Sequence, residues 1–72
     1  MNAVTTIDIA LDGAARGITA GTTLAGLVAE LGHRPHEVAT AVNGRFIARG
    51  QREELLLKGG DSVLFFQPIS GG

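Results

Sequence analysis

Ser62-Val63-Leu64-Phe65-Phe66-Gln67, closed off by Pro68, is the most hydrophobic stretch of the chain. Val63 and Phe65 alternate with Leu64 and Phe66, so a strand here is apolar on both faces. Such a strand suits the middle of a sheet better than its edge. Proline has no amide hydrogen for the next ladder bond and stops the strand. Gly59-Gly60-Asp61, just before it, reads as a turn. Further back, residues 49–58 are mixed; Gln51 to Glu54 suit one short helical turn, with Leu55 and Leu57 dropping into the core. Residues 38–42 read as a strand, Asn43-Gly44 as a type I′ turn, and residues 45–48 as the returning partner.

The first third has the opposite order of elements. From Thr6 to Leu11 the pattern alternates, with Ile7, Ile9 and Leu11 on one face. Asp12-Gly13 tolerates the positive φ of a tight hairpin, so residues 14–19 return antiparallel, with Ile18 their firmest core candidate. Thr23 then offers a hydroxyl to the free amides of a first helical turn. Leu24, Leu27, Val28 and Leu31 follow at i, i+3, i+4 and i+7, one apolar stripe ended by Gly32. Gly26 inside this helix costs about 1 kcal/mol relative to alanine, so the helix needs the sheet beneath it. Residues 33–37, with Pro35 at their centre, read as a loop rather than a helix.

Hairpin, helix, hairpin and strand bury these stripes most economically as one helix on one face of a mixed sheet. The simplest arrangement places the last strand centrally, beside the first. That is the β-grasp, an α+β fold, here with a four- to five-stranded sheet. Residues 1–68 are expected to form the domain, and residues 69–72 a flexible Gly-Gly tail.

Composition excludes much. Seventy-two residues are about half of a domain of roughly 150, too few for a second domain or a large substrate cavity. Six Lys+Arg against seven Asp+Glu, for a net charge of −1, give no clustered cations for nucleic acid. With no Cys there are no disulfides, thiolate metal sites or cysteine nucleophile. The first twenty residues carry Asp8 and Asp12 and lack a signal peptide's basic start and apolar stretch, and no run approaches a membrane span, so a cytoplasmic protein is expected.

Catalytic constellations fail one by one. His33 and His36 lack a third ligand in register, so no metal is expected. No phosphate-cradling glycine loop is present. Adjacent Glu53 and Glu54 diverge on a helical turn, and no His is placed to activate Ser70. The chain reads as something other than an enzyme. What remains is Ser70-Gly71-Gly72. Two glycines at a chain end are often just a frayed tail. These follow the strand expected at the sheet's centre, and so present the Gly72 carboxylate on a slender thread from a rigid base. With a pKa of about 3.3–3.7 that carboxylate is ionised at neutral pH and can attack a phosphoanhydride. If Val63 and Phe65 face the helix, Leu64 and Phe66 face outward with Ala41 and Phe46. Extended by Ile69, that is an apolar surface of the kind that marks a partner site.

The chain resembles the ThiS-type sulfur carriers, ubiquitin-like proteins of the ThiS/MoaD superfamily. The resemblance rests on Ala41-Val42-Asn43-Gly44, Arg49, Leu57, Gly60-Asp61 and the run Phe66-Gln67-Pro68-Ile69-Ser70-Gly71-Gly72, with Gly21, Thr23 and Leu24 as its weaker half. MoaD-type carriers are usually longer between helix and third strand, whereas residues 33–37 leave no such insertion, and Arg49 also favours the thiamine branch. The resemblance implies a cycle. An E1-like adenylyltransferase (ThiF-like) would use Mg-ATP to adenylate Gly72, so that no cofactor is bound stably by the carrier. A sulfur-donating desulfurase would supply the sulfur that leaves a thiocarboxylate. Thiazole synthase (ThiG-like) would accept that sulfur for the thiazole of thiamine. Delivery to molybdopterin or another metabolite, a protein modifier forming isopeptide bonds, and a passive β-grasp binding module are the alternatives.

Overall fold

The computed structural model describes residues 5–67. Strand β1 (Thr6–Leu11) and strand β2 (Ala14–Thr19) form the first hairpin, followed by helix α1 (Leu24–Glu30). Strands β3 (Ala39–Val42) and β4 (Arg45–Ile47) form the second hairpin, and β5 (Ser62–Phe66) closes the fold. The five strands run β2-β1-β5-β3-β4 across one sheet. β5 is parallel to β1 and antiparallel to β3, so the last strand is central and the sheet mixed. This is the β-grasp arrangement, with the full five strands. The expected tail, residues 69–72, lies outside the described residues.

Local chemistry explains each junction. The Asn43-Gly44 turn has φ of 52° and 82°, both positive as a type I′ turn requires, and Asp12-Gly13 repeats the pattern at 50° and 85°. Thr23 caps α1, its hydroxyl accepting from the Gly26 amide at 3.1 Å. At the other end Gly32, at φ 85°, lets its own amide reach the Ala29 carbonyl and the His33 amide reach Val28. Those two bonds define a Schellman cap.

One side of the sheet is covered by α1. Ile9, Ile18, Leu24, Leu27, Val42, Leu57 and Val63 make the buried cluster, with Ile7, Leu11, Leu31, Ile47, Leu55 and Phe65 packed around it. The start of α1 is also tied to the segment before β5: the Leu24 amide donates to Leu55 and the Leu57 amide to Thr22. Leu57 is therefore buried and Leu55 half-buried, while Leu56 points out to solvent.

Two segments differ from the sequence expectation. Residues 33–37 are not all loop, because Pro35–Glu37 forms a 3-10 helix. Proline fits the first position, where its missing amide hydrogen is not needed, and the Glu37 carboxylate accepts from the Arg34 amide at 2.7 Å. The turn expected over Gln51 to Glu54 is longer, a 3-10 helix spanning Arg49–Glu54. Among the described residues no helix is long and apolar enough to cross a membrane.

Candidate functional site

The face of the sheet away from α1 is shaped by alternation. In β3, Thr40 and Val42 point toward the core, so Ala39 and Ala41 point out. Register places Ala41 between Leu64 of β5 and Phe46 of β4, and sets Ala39 beside Phe66. Small residues on the middle strand with large ones on both neighbours leave a trough with an alanine floor and Leu64, Phe66 and Phe46 as its walls. Those walls are 43%, 46% and 66% exposed, in a chain whose other core-sized side chains are mostly covered. Ala41 is half-buried beneath them. The structure thus brings Ala41, Phe46, Leu64 and Phe66 onto one surface. Ile69, Ser70, Gly71 and Gly72 lie outside the described residues.

The trough ends where the chain leaves the sheet. β5 is antiparallel to β3, so Phe66 and Gln67 emerge beside Ala39 and Val38. There Pro35 and His36 from the first 3-10 helix, and Arg49 and Arg52 from the second, close the groove. Arg52 is the reason these segments meet. Its side chain is buried at 4% exposure. Nε donates to Thr40 Oγ1 at 3.0 Å, Nη1 to the Pro35 carbonyl at 2.8 Å and Nη2 to the Val38 carbonyl at 2.6 Å. The Thr40 hydroxyl passes its own hydrogen to the Ile47 carbonyl at 3.0 Å. One planar fork thereby joins the first 3-10 helix, the entry to β3 and the end of β4. Burial lowers the Arg52 pKa from its ordinary value, and the positive charge of Arg49 adds to the effect. An arginine remains charged even so.

The root of the exit strand is held by side chains as well as by its ladder. Asp12 Oδ1 accepts from the Phe65 amide at 3.0 Å, taking over where β1 has already turned away. Asn43 Oδ1 accepts from the Ser62 amide at 2.9 Å, and Asn43 Nδ2 donates to Asp61 Oδ1 at 3.0 Å. Asp61 Oδ2 accepts from the Lys58 amide at 2.8 Å. Asn43 and Asp61 thus lock the second hairpin to the start of β5.

Sequence reasoning missed Arg52 and its partner Thr40. Arg52 stands in Gln51-Arg52-Glu53-Glu54, a run that reads as a solvated face. The one available signal was Thr40, whose inward position in an alternating strand obliges its hydroxyl to find a partner. Among the described residues no group of three His, Cys, Asp or Glu side chains is placed to hold a metal ion. His33 instead packs its ring edge-on to Phe65, with centroids 5.8 Å apart.

The fold and this surface define a β-grasp protein of the ubiquitin-like class. The sequence model of the ThiS family matches residues 9–72, nearly the whole chain, and the protein belongs to that family, a ThiS-type sulfur carrier. The chain is similar in structure to the thiamine biosynthesis protein (ThiS) from Geobacter metallireducens, with a TM-score of 0.77 and 20% identity, over 92% of this chain and 100% of that one. At that identity the likeness speaks for the fold. No curated protein matches the chain by sequence.

Proposed function

We propose that this chain carries sulfur for the thiazole of thiamine, as a thiocarboxylate on Gly72. The carboxylate oxygen attacks the α-phosphorus of ATP held with Mg²⁺ by a ThiF-like adenylyltransferase, and pyrophosphate leaves. A persulfide sulfur supplied through a desulfurase then attacks the acyl carbon and expels AMP, and a thiol cleaves the resulting acyl disulfide, leaving the thiocarboxylate and a disulfide between the two thiols. A ThiG-like thiazole synthase takes the sulfur. The chain is a co-substrate throughout and binds no cofactor of its own. The trough of Ala41, Phe46, Leu64 and Phe66 is the partner's landing surface, and Ile69, two residues beyond Gln67 in sequence, is the further apolar residue offered to the partner. Ser70 and Gly71 immediately precede the reacting carboxylate, and a Cβ at Gly71 would clash in a partner channel shaped for glycine.

The observation that supports this most directly is continuity. The family match runs through residue 72, and those last residues follow a central strand bonded on both sides and clamped by Asp12 and Asn43. A stiff base limits the conformations that the reacting carboxylate must give up on entering a partner's site.

Intact-mass spectrometry of the protein co-expressed with a ThiF-like enzyme and a desulfurase tests the reading. A gain equal to exchanging one oxygen for sulfur is expected, absent in a variant with one alanine appended after Gly72. Lysine-linked ladders would instead mark a protein modifier, and an unmodified chain a passive binding module.

A further inference from the structure

Among the described residues, the groove at the exit of β5 is lined by charge of a single sign. Arg49 is exposed, Arg52 lies buried beside it, and His36 and Gln67 share the wall, with no carboxylate among the described lining residues. The ion pair found among the described residues joins Arg16 to Glu30 at 3.7 Å, elsewhere on the surface. Neither Arg49 nor Arg52 has an acidic partner among those residues. Glu53, on the same 3-10 helix, lines the neighbouring groove on the α1 side together with Arg49 and Arg52, and forms no ion pair with either among the described residues. Two guanidinium groups held together against an apolar wall repel, and an anion seated beside them would recover that energy through charge-assisted hydrogen bonds. The apolar part adjoins directly: Ala39 as floor, with Phe46 and Phe66 at the sides.

We propose that this groove receives an acidic segment of the adenylating partner, with an apolar side chain seated on Ala39 between Phe46 and Phe66 and a nearby carboxylate paired with Arg49. The inference rests on the carrier reading above and adds to it the chemistry of the partner's docking segment. Charge complementarity selects the occupant. A second copy of this chain, docked groove to groove about a two-fold axis, would set Arg49 against Arg49 and pay for it in repulsion. An acidic segment meets the cations, and its apolar residue uses the alanine floor. Arg49 therefore acts in recognition rather than in the chemistry. Its loss is felt in KM and in salt dependence, and leaves turnover of the bound carrier alone.

The test is ATP–pyrophosphate exchange by a ThiF-like enzyme with the carrier varied, comparing wild type, Arg49→Lys and Arg49→Glu at low and high salt. Arg49→Glu is expected to raise the carrier's KM by about tenfold or more with kcat within about twofold, and Arg49→Lys to fall between. The wild-type KM is expected to rise with salt, and that of Arg49→Glu to stay flat or fall. Exchange by Arg49→Glu at the wild-type KM overturns the inference and leaves the carrier reading standing. Absence of exchange with the wild-type chain overturns both. Titration of the ¹⁵N-labelled chain with the enzyme gives an independent readout. Broadening at Ala39, Phe46 and Gln67 supports the slot, and broadening confined to β2 overturns it. A chain ending at Gln67 whose Ala39 and Arg49 amides shift without any partner would assign the groove to the chain's own last residues, and so would refute the proposal. A dimer in solution that Arg49→Glu dissolves would assign it to a second copy, with the same consequence.

Discussion

Removing the Arg52 guanidinium is the perturbation that best tests how this small domain holds its exit groove together. In Arg52→Ala the Val38 carbonyl, bonded at 2.6 Å, belongs to a buried residue and is left without its donor, at a cost of about 1–3 kcal/mol. Pro35 is exposed, so its carbonyl regains water. Thr40 keeps its bond to Ile47. Truncation also uncovers two methylenes of the stem, at about 0.8 kcal/mol each. Relief of the buried charge's desolvation works in the other direction. The expected loss is about 2–4 kcal/mol, a large share of the roughly 4–11 kcal/mol that a domain of this length has at about 0.05–0.15 kcal/mol per residue. With no Trp or Tyr in the chain, urea unfolding is followed by far-ultraviolet circular dichroism, with midpoint and slope fitted together. Arg52→Met is the decisive partner variant, since it keeps an apolar stem and discards every donor. If Arg52→Met unfolds at or above the wild-type midpoint, the hydrogen-bonded fork does not stabilise the fold and the reasoning fails.

Three other variants probe separate joints. Gly26→Ala is expected to stabilise by up to about 1 kcal/mol, because its new Cβ would meet only Thr23 Oγ1 at 3.4 Å and Thr22 Cγ2 at 3.6 Å; an unchanged or lower melting temperature would contradict this. Asn43→Ala loses both the bonds to Ser62 and Asp61 and a residue tolerant of φ 52°, for about 2–3 kcal/mol. Asn43→Gly keeps the turn and loses only the bonds, so urea midpoints should rank wild type, then Gly, then Ala. Phe66→Ala, on the trough wall, should weaken binding to a ThiF-like enzyme by about tenfold or more while changing the melting temperature little; calorimetric titration showing the wild-type affinity would take Phe66 out of the landing surface.

The architecture was legible because it is written in local signals. Asn43-Gly44 and Asp12-Gly13 announce their turns through backbone conformations few other residue types tolerate. Leu24, Leu27 and Val28 announce a helix through spacing, and the doubly apolar 62–67 stretch announces a central strand. The outward trough also followed from parity: once Val63 and Phe65 face the helix, Leu64 and Phe66 must face away, and register adds Ala41 and Phe46. What could not be read was any contact whose partner is remote and whose own segment has no period. Arg52 meets acceptors 12, 14 and 17 positions away from inside a polar 3-10 helix, a conformation too short to leave a repeat. Arg49 and Arg52 stand only three residues apart, but the expected turn began at Gln51, and it is the longer 3-10 helix Arg49–Glu54 that sets both on one groove.

That distinction bears on how β5 is held at its exit. A central strand bonded on both flanks would already be stiff, yet β1 stops pairing at Leu11 while β5 continues to Phe66. The Phe65 amide therefore lies past the end of β1, and an unpaired amide there would admit water and let the last two residues of β5 fray. The Asp12 carboxylate fills that gap from a turn that must be Asp-Gly or similar for its own reasons. One residue thus sets the hairpin and secures the strand at its exit. Asp12→Gly separates the two duties: it keeps a turn with positive φ and removes the acceptor. Hydrogen exchange at the Phe65 amide should then accelerate by about tenfold, the loss of roughly 1.4 kcal/mol of local protection, while the amides of Ile9 and Ile18 keep their wild-type rates. Equal acceleration throughout the hairpin would mean that Asp12 holds the turn alone, and that the end of β5 owes its rigidity to the ladder with β3.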